Sequence, residues 1–179
     1  MVEESGENMI VTAPGANRRL TPDAVEVGEA DAVMCQLEIP AEVVVAARAQ
    51  ARFFCLNAAP ARGVPEFDRE PDLIVANRYE YERVDPGGSL VALTLGAEGA
   101  VLHERGREVA RARPPAVTAV DGTAAGDSFC AALVVSLLEG RERGAALARA
   151  CAAGALAASR PGAQPSLPTA DEVDALLKG

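Results

Sequence analysis

The stretch Val120-Asp121-Gly122-Thr123-Ala124-Ala125-Gly126-Asp127-Ser128-Phe129 runs a series of small side chains straight into an apolar helical pattern. Phe129, Leu133 and Leu137 recur on one stripe, Cys130, Val134 and Leu138 lie beside it, and Gly140 stands where a C-cap belongs. The spacing predicts a deeply buried helix from Asp127 to Leu138. Small residues at its start let the backbone N–H groups of Ala124 to Asp127 converge at the positive end of the helix dipole. That arrangement suits an anion that gains charge during a reaction, such as a phosphoryl group in transfer, and Asp127 could take a proton from an attacking hydroxyl. The same residues also read as an ordinary helix start, with Asp127 as N-cap and the glycines as turn residues. Both readings stay open at this point.

Outward from this stretch, strand and helix patterns alternate, as in a layered α/β domain with a largely parallel sheet. Strands are expected at Met9 to Ala13, Ala32 to Leu37 (of the buried type), Phe53 to Leu56, Leu73 to Ala76 and Leu90 to Leu95. Pro14-Gly15-Ala16-Asn17 and Asp85-Pro86-Gly87-Gly88 read as turns, and Thr21-Pro22 as an N-cap followed by proline at the first helical position. Pro40 opens a helix through Gln50 with Val44, Ala47 and Ala51 on one face. Ala100 to His103 and Glu108 to Arg111 form a hairpin about Arg105-Gly106. Further helices are expected from about Ala145 to Ala158 and from Thr169 to Leu177. Without repeats or linkers, residues 1–179 read as one domain.

Composition narrows the function. Seventeen basic and 26 acidic residues give a net charge of -9, which opposes nucleic-acid binding but leaves nucleotide binding open, because amides and a helix dipole hold phosphates without lysine. Lys178 is the only lysine, so neither a Walker lysine nor a Schiff-base lysine is expected. His103 is the only histidine, and Cys35, Cys55, Cys130 and Cys151 are scattered among apolar neighbours. A zinc site or a Ser-His-Asp triad has little to build on, and the cysteines read as small buried hydrophobes. No Gly-x-Gly-x-x-Gly follows a strand, which removes the support for a dinucleotide-binding oxidoreductase. No apolar run is long enough for a bilayer and the start, MVEESGENMIV, is acidic rather than signal-like, so a cytoplasmic chain with no membrane partner is expected.

The segment Asp121 to Phe129 resembles the C-terminal signature of the ribokinase (PfkB) family of carbohydrate kinases. Other stretches match that family in order: Gly6-Glu7-Asn8 with Pro14-Gly15-Ala16-Asn17, Gln36-Leu37-Glu38, Asn57-Ala58-Ala59-Pro60-Ala61-Arg62, Asn77-Arg78-Tyr79-Glu80, Thr94-Leu95-Gly96-Ala97-Glu98-Gly99, and Gly162-Ala163-Gln164-Pro165-Ser166. The resemblance implies a three-layer α/β/α fold with a largely parallel sheet, truncated at the N-terminus. It implies an ATP-dependent kinase acting on a pentose, ribose first, with a nucleoside or another sugar as the nearest rival.

The resemblance also assigns roles. Asp127 would deprotonate the sugar hydroxyl, and the amides of Ala124, Ala125 and Gly126 would form the anion hole. Glu80 would organise magnesium through water, with Asn77 near the phosphates; the same spacing reads equally as Asn77 capping a helix and Glu80 completing a capping box. Thr94, Gly96 and Gly99 would line the nucleotide pocket, and Glu38 would contact the sugar. A potassium-like cation would take its shell from Asp121, Thr123, the backbone near Ala157, Arg160 and Gly162, and Ser166. Two departures from the family stand out. The chain begins where the family's lid ends, and only Arg83 to Ser89 stands between the Asn-x-x-Glu motif and the Leu90 strand, where a helical element is expected. A second reading is therefore a non-catalytic remnant serving as a nucleotide-binding or interaction module. Open sheet edges further imply self-association, most simply as a dimer.

Overall fold

A computed structural model describes residues 13–178. The expected strand at Met9 to Ala13, apart from Ala13 itself, and the Gly6-Glu7-Asn8 match lie outside these residues. The chain divides into two compact units, one built on residues 13–95 with 101–109 and the other on residues 96–100 with 110–178.

The first unit is organised by strands β1 (Ala32–Gln36), β2 (Phe53–Asn57), β3 (Leu73–Asn77) and β4 (Leu90–Thr94), with β5 (Ala100–Glu104) and β6 (Arg107–Ala112) continuing the sheet in the order β1-β2-β3-β4-β5-β6. Strands β1 to β4 pair in parallel, with Ala32 opposite Phe53, Cys55 opposite Leu73 and Leu73 opposite Leu90. The largely parallel sheet expected from the alternating pattern is present. Strand β3 is buried from Leu73 to Ala76, as a parallel strand covered on both faces must be. The β5–β6 hairpin turns where expected: Arg105 and Gly106 have φ of 50° and 73°, the paired positive φ values that a two-residue hairpin turn demands.

Helix α1 (Ala41–Gln50) crosses from β1 to β2 and buries Val43, Val44 and Ala47. Val44 and Ala47 join Phe54, Leu56, Ile74 and Val91 in the core of this unit. On the same helix Arg48 is buried, and its guanidinium donates to the carbonyls of Arg69 (3.0 Å) and Glu70 (2.7 and 2.9 Å) and pairs with Asp72 at 3.3 Å. Asp72 in turn accepts the Phe54 amide at 2.8 Å. A buried charge that is both paired and hydrogen-bonded is tolerated, and this one ties α1 to the loop entering β3.

Two sequence expectations change here. Strand β1 is not a buried strand: Cys35 is its one buried residue and Met34 is 40% exposed, because β1 ends the sheet order with a single parallel partner among the described residues. Thr21-Pro22 opens only a three-residue 3-10 turn, Pro22–Ala24, and the Thr21 side chain caps no backbone amide of it. The next two crossovers are sparse. Residues 58–72, between β2 and β3, contain no helix or strand, and the β3–β4 connection holds only the four-residue helix α2 (Arg78–Tyr81). The element missing before β4 was legible from the short Arg83 to Ser89 connection.

The second unit is helical. Helix α3 (Ala125–Leu138) packs on α4 (Arg143–Ala158), which packs on α5 (Ala170–Leu176). Leu133 and Leu147 are fully buried, and Gly140, with φ of 73°, ends α3 as its C-cap glycine should. Helix α4 starts at Arg143 rather than Ala145, because the Glu142 carboxylate accepts the Gly144 amide at 2.9 Å and moves the cap outward. Helix α5 carries a full capping box: the Thr169 hydroxyl accepts the Glu172 amide at 3.3 Å, and the Glu172 carboxylate accepts the Thr169 amide at 2.8 Å. The Arg149–Asp174 pair at 2.8 Å and the Arg160–Glu172 pair at 2.6 Å tie α5 back to α4 and to the loop after it. All four cysteines are buried and in no disulfide, as expected of small hydrophobes.

Candidate active site

Asp127 is not the N-cap of α3. That position belongs to Ala124, in the left-handed region at φ 65°, where an alanine is uncommon and Cβ crowding costs about 1–2 kcal/mol. Asp127 instead lies in the first turn of the helix, exposed. The left-handed step at Ala124 turns the chain sharply into the helix. The Ala125 amide donates to the Gly122 carbonyl at 3.2 Å, closing the turn, and the Ser128 amide reaches the Ala124 carbonyl at 2.9 Å. Among the described residues, the amides of Gly126 and Asp127 meet no acceptor. A Cβ built on Gly126 would meet nothing within 4 Å, so the helix surface at this residue is uncovered among the described residues. Of the three amides expected to form an anion hole, that of Ala125 is taken by the Gly122 carbonyl, while those of Ala124 and Gly126 meet no acceptor among the described residues, and the Asp127 carboxylate stands on the same turn. Two free N–H groups at the positive end of a 14-residue helix, next to a carboxylate, can bind and polarise an oxyanion while a proton is removed beside it.

The turn is held from two sides. The Asp121 carboxylate accepts the Thr123 amide through one oxygen and the Gly162 amide through the other, each at 2.9 Å. The Thr123 hydroxyl, then the Thr123 and Gly162 amides, hold this carboxyl below the usual carboxylate range. The Ala158 carbonyl accepts the Val120 and Asp121 amides at 2.8 and 3.1 Å. Thus the segment entering α3 is joined to the end of α4 and the loop beyond it. From within, α4 approaches through Gly154: a Cβ there would lie 3.1 Å from the Ala125 carbonyl oxygen and 3.6 Å from Cβ of Phe129. Gly154 was not singled out from the sequence, where it is one small residue in an alanine-rich helix and gives no signal.

The six residues expected around a monovalent cation fall in this unit. Asp121, Thr123 and Gly162 are joined by the bonds just described. The Ala157 carbonyl accepts the Arg160 amide at 3.2 Å, and the fully buried Ser166 donates its hydroxyl to the Ala163 carbonyl at 2.7 Å. Carboxylate, carbonyl and hydroxyl oxygens are the donors a hard cation takes, so the chemistry of the set fits such an ion. Among the described residues no three His, Cys, Asp or Glu side chains converge into an all-protein metal site.

In the other unit, the carboxyl ends of the parallel strands carry the remaining candidates, the edge at which open α/β sheets bind ligands. Asn77, at the end of β3, caps α2: its Oδ1 accepts the Tyr79 and Glu80 amides at 2.9 and 3.0 Å, and Glu80 Oε2 accepts the Asn77 amide at 2.8 Å. The capping box that the spacing allowed is thus formed, with Glu80 buried. One carboxylate of this kind suits magnesium only in company, since that ion is held by one or two carboxylates together with waters and phosphates. Thr94, at the end of β4, donates to the Ala76 carbonyl at 3.4 Å. Glu38 follows β1 as an exposed carboxylate, while the Leu37 amide donates to the Ala59 carbonyl at 2.7 Å.

Gly96 and Gly99, in the helical unit, bracket a 3-10 turn in which the Gly99 amide reaches the Gly96 carbonyl at 3.0 Å. Space around Gly96 is open. Gly99 is required by packing: at φ 95° a Cβ would run into the Ala112 carbonyl and sit 2.8 Å from the Cα of Arg113.

Comparison with known proteins places the chain in a family. The description pfkB family carbohydrate kinase matches residues 1–170. The ribokinase of Bacillus subtilis is 33% identical over 201 residues, covering 99% of this chain and 67% of the relative. Among solved structures, a ribokinase from Thermotoga maritima superimposes with a TM-score of 0.86 at 30% identity, over 99% of this chain and 68% of its own. Arabidopsis thaliana ribokinase complexed with ribose and ATP gives 0.81 at 28% identity, over 100% of this chain and 68% of its own. The chain spans about two thirds of the length of the curated relatives it matches.

Proposed function

The chain belongs to the pfkB family of carbohydrate kinases, and from that membership we propose that it transfers the γ-phosphoryl group of ATP to a hydroxyl of a pentose, D-ribose giving ribose 5-phosphate. The observation that carries this reading is the open pair of amides at Gly126 and Asp127 with the Asp127 carboxylate on the same helical turn. The ribose and ATP bound by the Arabidopsis thaliana ribokinase support the choice of both substrates.

In this mechanism Asp127 accepts the proton of the attacking sugar hydroxyl. The amides of Gly126 and Asp127, at the helix N-terminus formed by Ala124 and Ala125, donate to the phosphoryl oxygens as charge moves onto them. Because these donors are fixed by Asp121, Thr123 and Gly162, they need not reorganise when charge develops. On this reading Thr94, Gly96 and Gly99 would contact the nucleotide, Asn77 its phosphates, and Glu38 the sugar. Glu80 would hold magnesium through water, and Asp121, Thr123, Ala157, Arg160, Gly162 and Ser166 would hold a potassium ion. Magnesium neutralises phosphate charge when bound, and the monovalent cation adds fixed positive charge to the anion site. We place the enzyme in the cytoplasm, as one partial kinase domain in a dimer. No described helix is long and apolar enough to cross a membrane.

A specific observation favours a second reading. Asn77 and Glu80 are bonded to each other, and the β3–β4 connection is short, which suits a nucleotide-binding module without turnover. One assay separates the two. Ribose phosphorylation by ATP and magnesium is followed for the wild type and for Asp127→Asn, which keeps size and helix position but removes the base. Turnover that falls roughly 10²- to 10⁴-fold in Asp127→Asn supports the kinase. ATP binding with no turnover in the wild type selects the module, and equal turnover in both proteins defeats the assignment of Asp127.

A further inference from the structure

Helix α5 is tied to the rest of its unit by two ion pairs of the same kind. Arg149 of α4 donates to Asp174 at 2.8 Å. Arg160, in the loop that follows α4, holds Glu172 through both terminal nitrogens, at 2.6 and 3.4 Å. Val173, between the two acidic residues, is buried with Ala152 and Ala153 of α4, so both pairs start from one seated helix. Glu172 is fixed further by the Thr169 amide, which donates to it at 2.8 Å.

The two pairs lead to different places. Arg149 lies in the middle of α4, whereas Arg160 is separated from Gly162 only by Pro161, whose ring restricts the backbone between them. The Gly162 amide donates to Asp121, and the other oxygen of that carboxylate holds Thr123 at the turn into α3. Packing does not set the place of Gly162: at φ 84° it has no side chain to seat, and a Cβ built there would meet only the Pro165 ring, at 3.6 Å. Its position depends on what grips the chain on either side. The Arg160 and Glu172 side chains are 32% and 42% exposed, so their pair contributes little to stability. What its two bonds fix is the course of the chain leaving α4.

We propose that Arg160 and Glu172 are positioning residues for phosphoryl transfer: their pair holds the loop that carries Gly162 and, through Asp121, keeps the unpaired amides of the α3 turn in place. This rests on the kinase reading of Asp127 and its neighbouring amides. Both side chains act through Asp121 rather than on the substrates. Donors of this kind contribute most when charge develops, so loosening them lowers kcat and leaves the KM values nearly unchanged. The loss is partial, because the Ala158 carbonyl still holds the Val120 and Asp121 amides when the pair is broken.

The test compares Glu172→Gln and Arg160→Ala with Asp174→Asn, which breaks the other pair on α5 and leaves Arg160 untouched. Glu172→Gln keeps an acceptor for the Thr169 amide, so the cap of α5 survives. Ribose phosphorylation is followed with ATP and magnesium, well below the melting temperature of each protein, and ¹H–¹⁵N spectra are recorded of the same whole chains. Glu172→Gln and Arg160→Ala should lower kcat roughly 2- to 30-fold, with KM for ATP and ribose within about twofold of the wild type. The amide resonances of Gly162, Thr123 and Gly126 should move in both. Arg160→Lys should recover part of kcat. In an Asp121→Ala background, Glu172→Gln should cost little more, because the link is already cut. Asp174→Asn should lower Tm while keeping wild-type kcat and those three resonances. Unchanged kcat in both pair variants overturns the proposal. So does an equal loss in Asp174→Asn, because the seating of α5 then explains the effect. A wild type without turnover, or one no faster than Asp127→Asn, defeats the kinase reading instead. The spectra then decide separately: unmoved Thr123 and Gly126 resonances in Glu172→Gln overturn the link to the turn, and moved ones uphold it.

Discussion

Asn77 is the residue at which capping and ligand binding make separable demands. Its Oδ1 accepts two amides, at 2.9 and 3.0 Å, and Asn77→Ala removes both bonds. Tyr79 is 76% exposed, so its freed amide reaches water, and the loss should sit near the middle of the usual N-cap range, about 1 kcal/mol. For a chain of this size that lowers Tm by roughly 2–4 °C. Asn77→Ser places another good cap at the same position and should melt within about 1 °C of the wild type. The proposed contact with nucleotide phosphate has no such substitute. A hydrogen bond to a charged group contributes about 1.5–3 kcal/mol, so both variants should bind ATP with magnesium roughly 10- to 100-fold more weakly. Thermal melting and calorimetric titration of the three proteins read the two effects independently. If Asn77→Ser melts as low as Asn77→Ala, the capping argument is wrong. If both variants bind ATP as the wild type does, Asn77 is a cap and nothing more.

Other substitutions test the supports of the site. Gly99→Ala combines left-handed backbone strain with a clash against the Ala112 and Arg113 backbone and should cost about 2–5 kcal/mol by urea denaturation; a change below about 0.5 kcal/mol would refute the packing argument. Gly154→Ala gains up to about 1 kcal/mol of helix propensity but pushes on the Ala125 carbonyl, so ribose turnover should fall while Tm holds or rises, and unchanged turnover would remove Gly154 as a positioning residue. Glu172 has its carboxyl pulled down to about 2, first by Arg160 and then by the Thr169 amide. Its folded value lies below its usual 4.5, so its support for α5 is complete above that pH and is lost as the pH falls toward 2. Glu172→Gln should flatten that part of the acid-unfolding curve followed by circular dichroism, and an unchanged curve would show that the Arg160 pair contributes nothing.

Local patterns made most of the fold legible. The β5–β6 turn could be read because Arg105-Gly106 lies between two short strands, and α5 because its pattern begins at Thr169, whose capping partner Glu172 stands three residues on. The start of α3 was misplaced for a related reason: Asp127 is a good capping residue by type, whereas the actual cap, Ala124, holds a left-handed conformation that its identity does not advertise. Position in the sheet misled the reading of β1, since an apolar strand at an edge has the same sequence as one in the interior. The Arg48–Asp72 pair and the approach of Gly154 to Ala125 depend on residues far apart in the chain, beyond the reach of periodicity or spacing. For the candidate site, the stretch from Asp121 to Asp127 was legible as a run of small residues entering a helix. Which amides remain free was decided by the turn, through the bond from Ala125 to Gly122.

The double grip of Asp121 has a kinetic consequence. One carboxylate holds the amides of Thr123 and Gly162, so neither hydrogen can be released to solvent by a purely local flicker of its own loop without disturbing the shared acceptor. The two positions should therefore exchange with deuterium as a coupled pair, at similar protection, despite belonging to separate loops. Asp121→Ala should uncouple them and hasten both, while leaving protection in the middle of α4 unaltered.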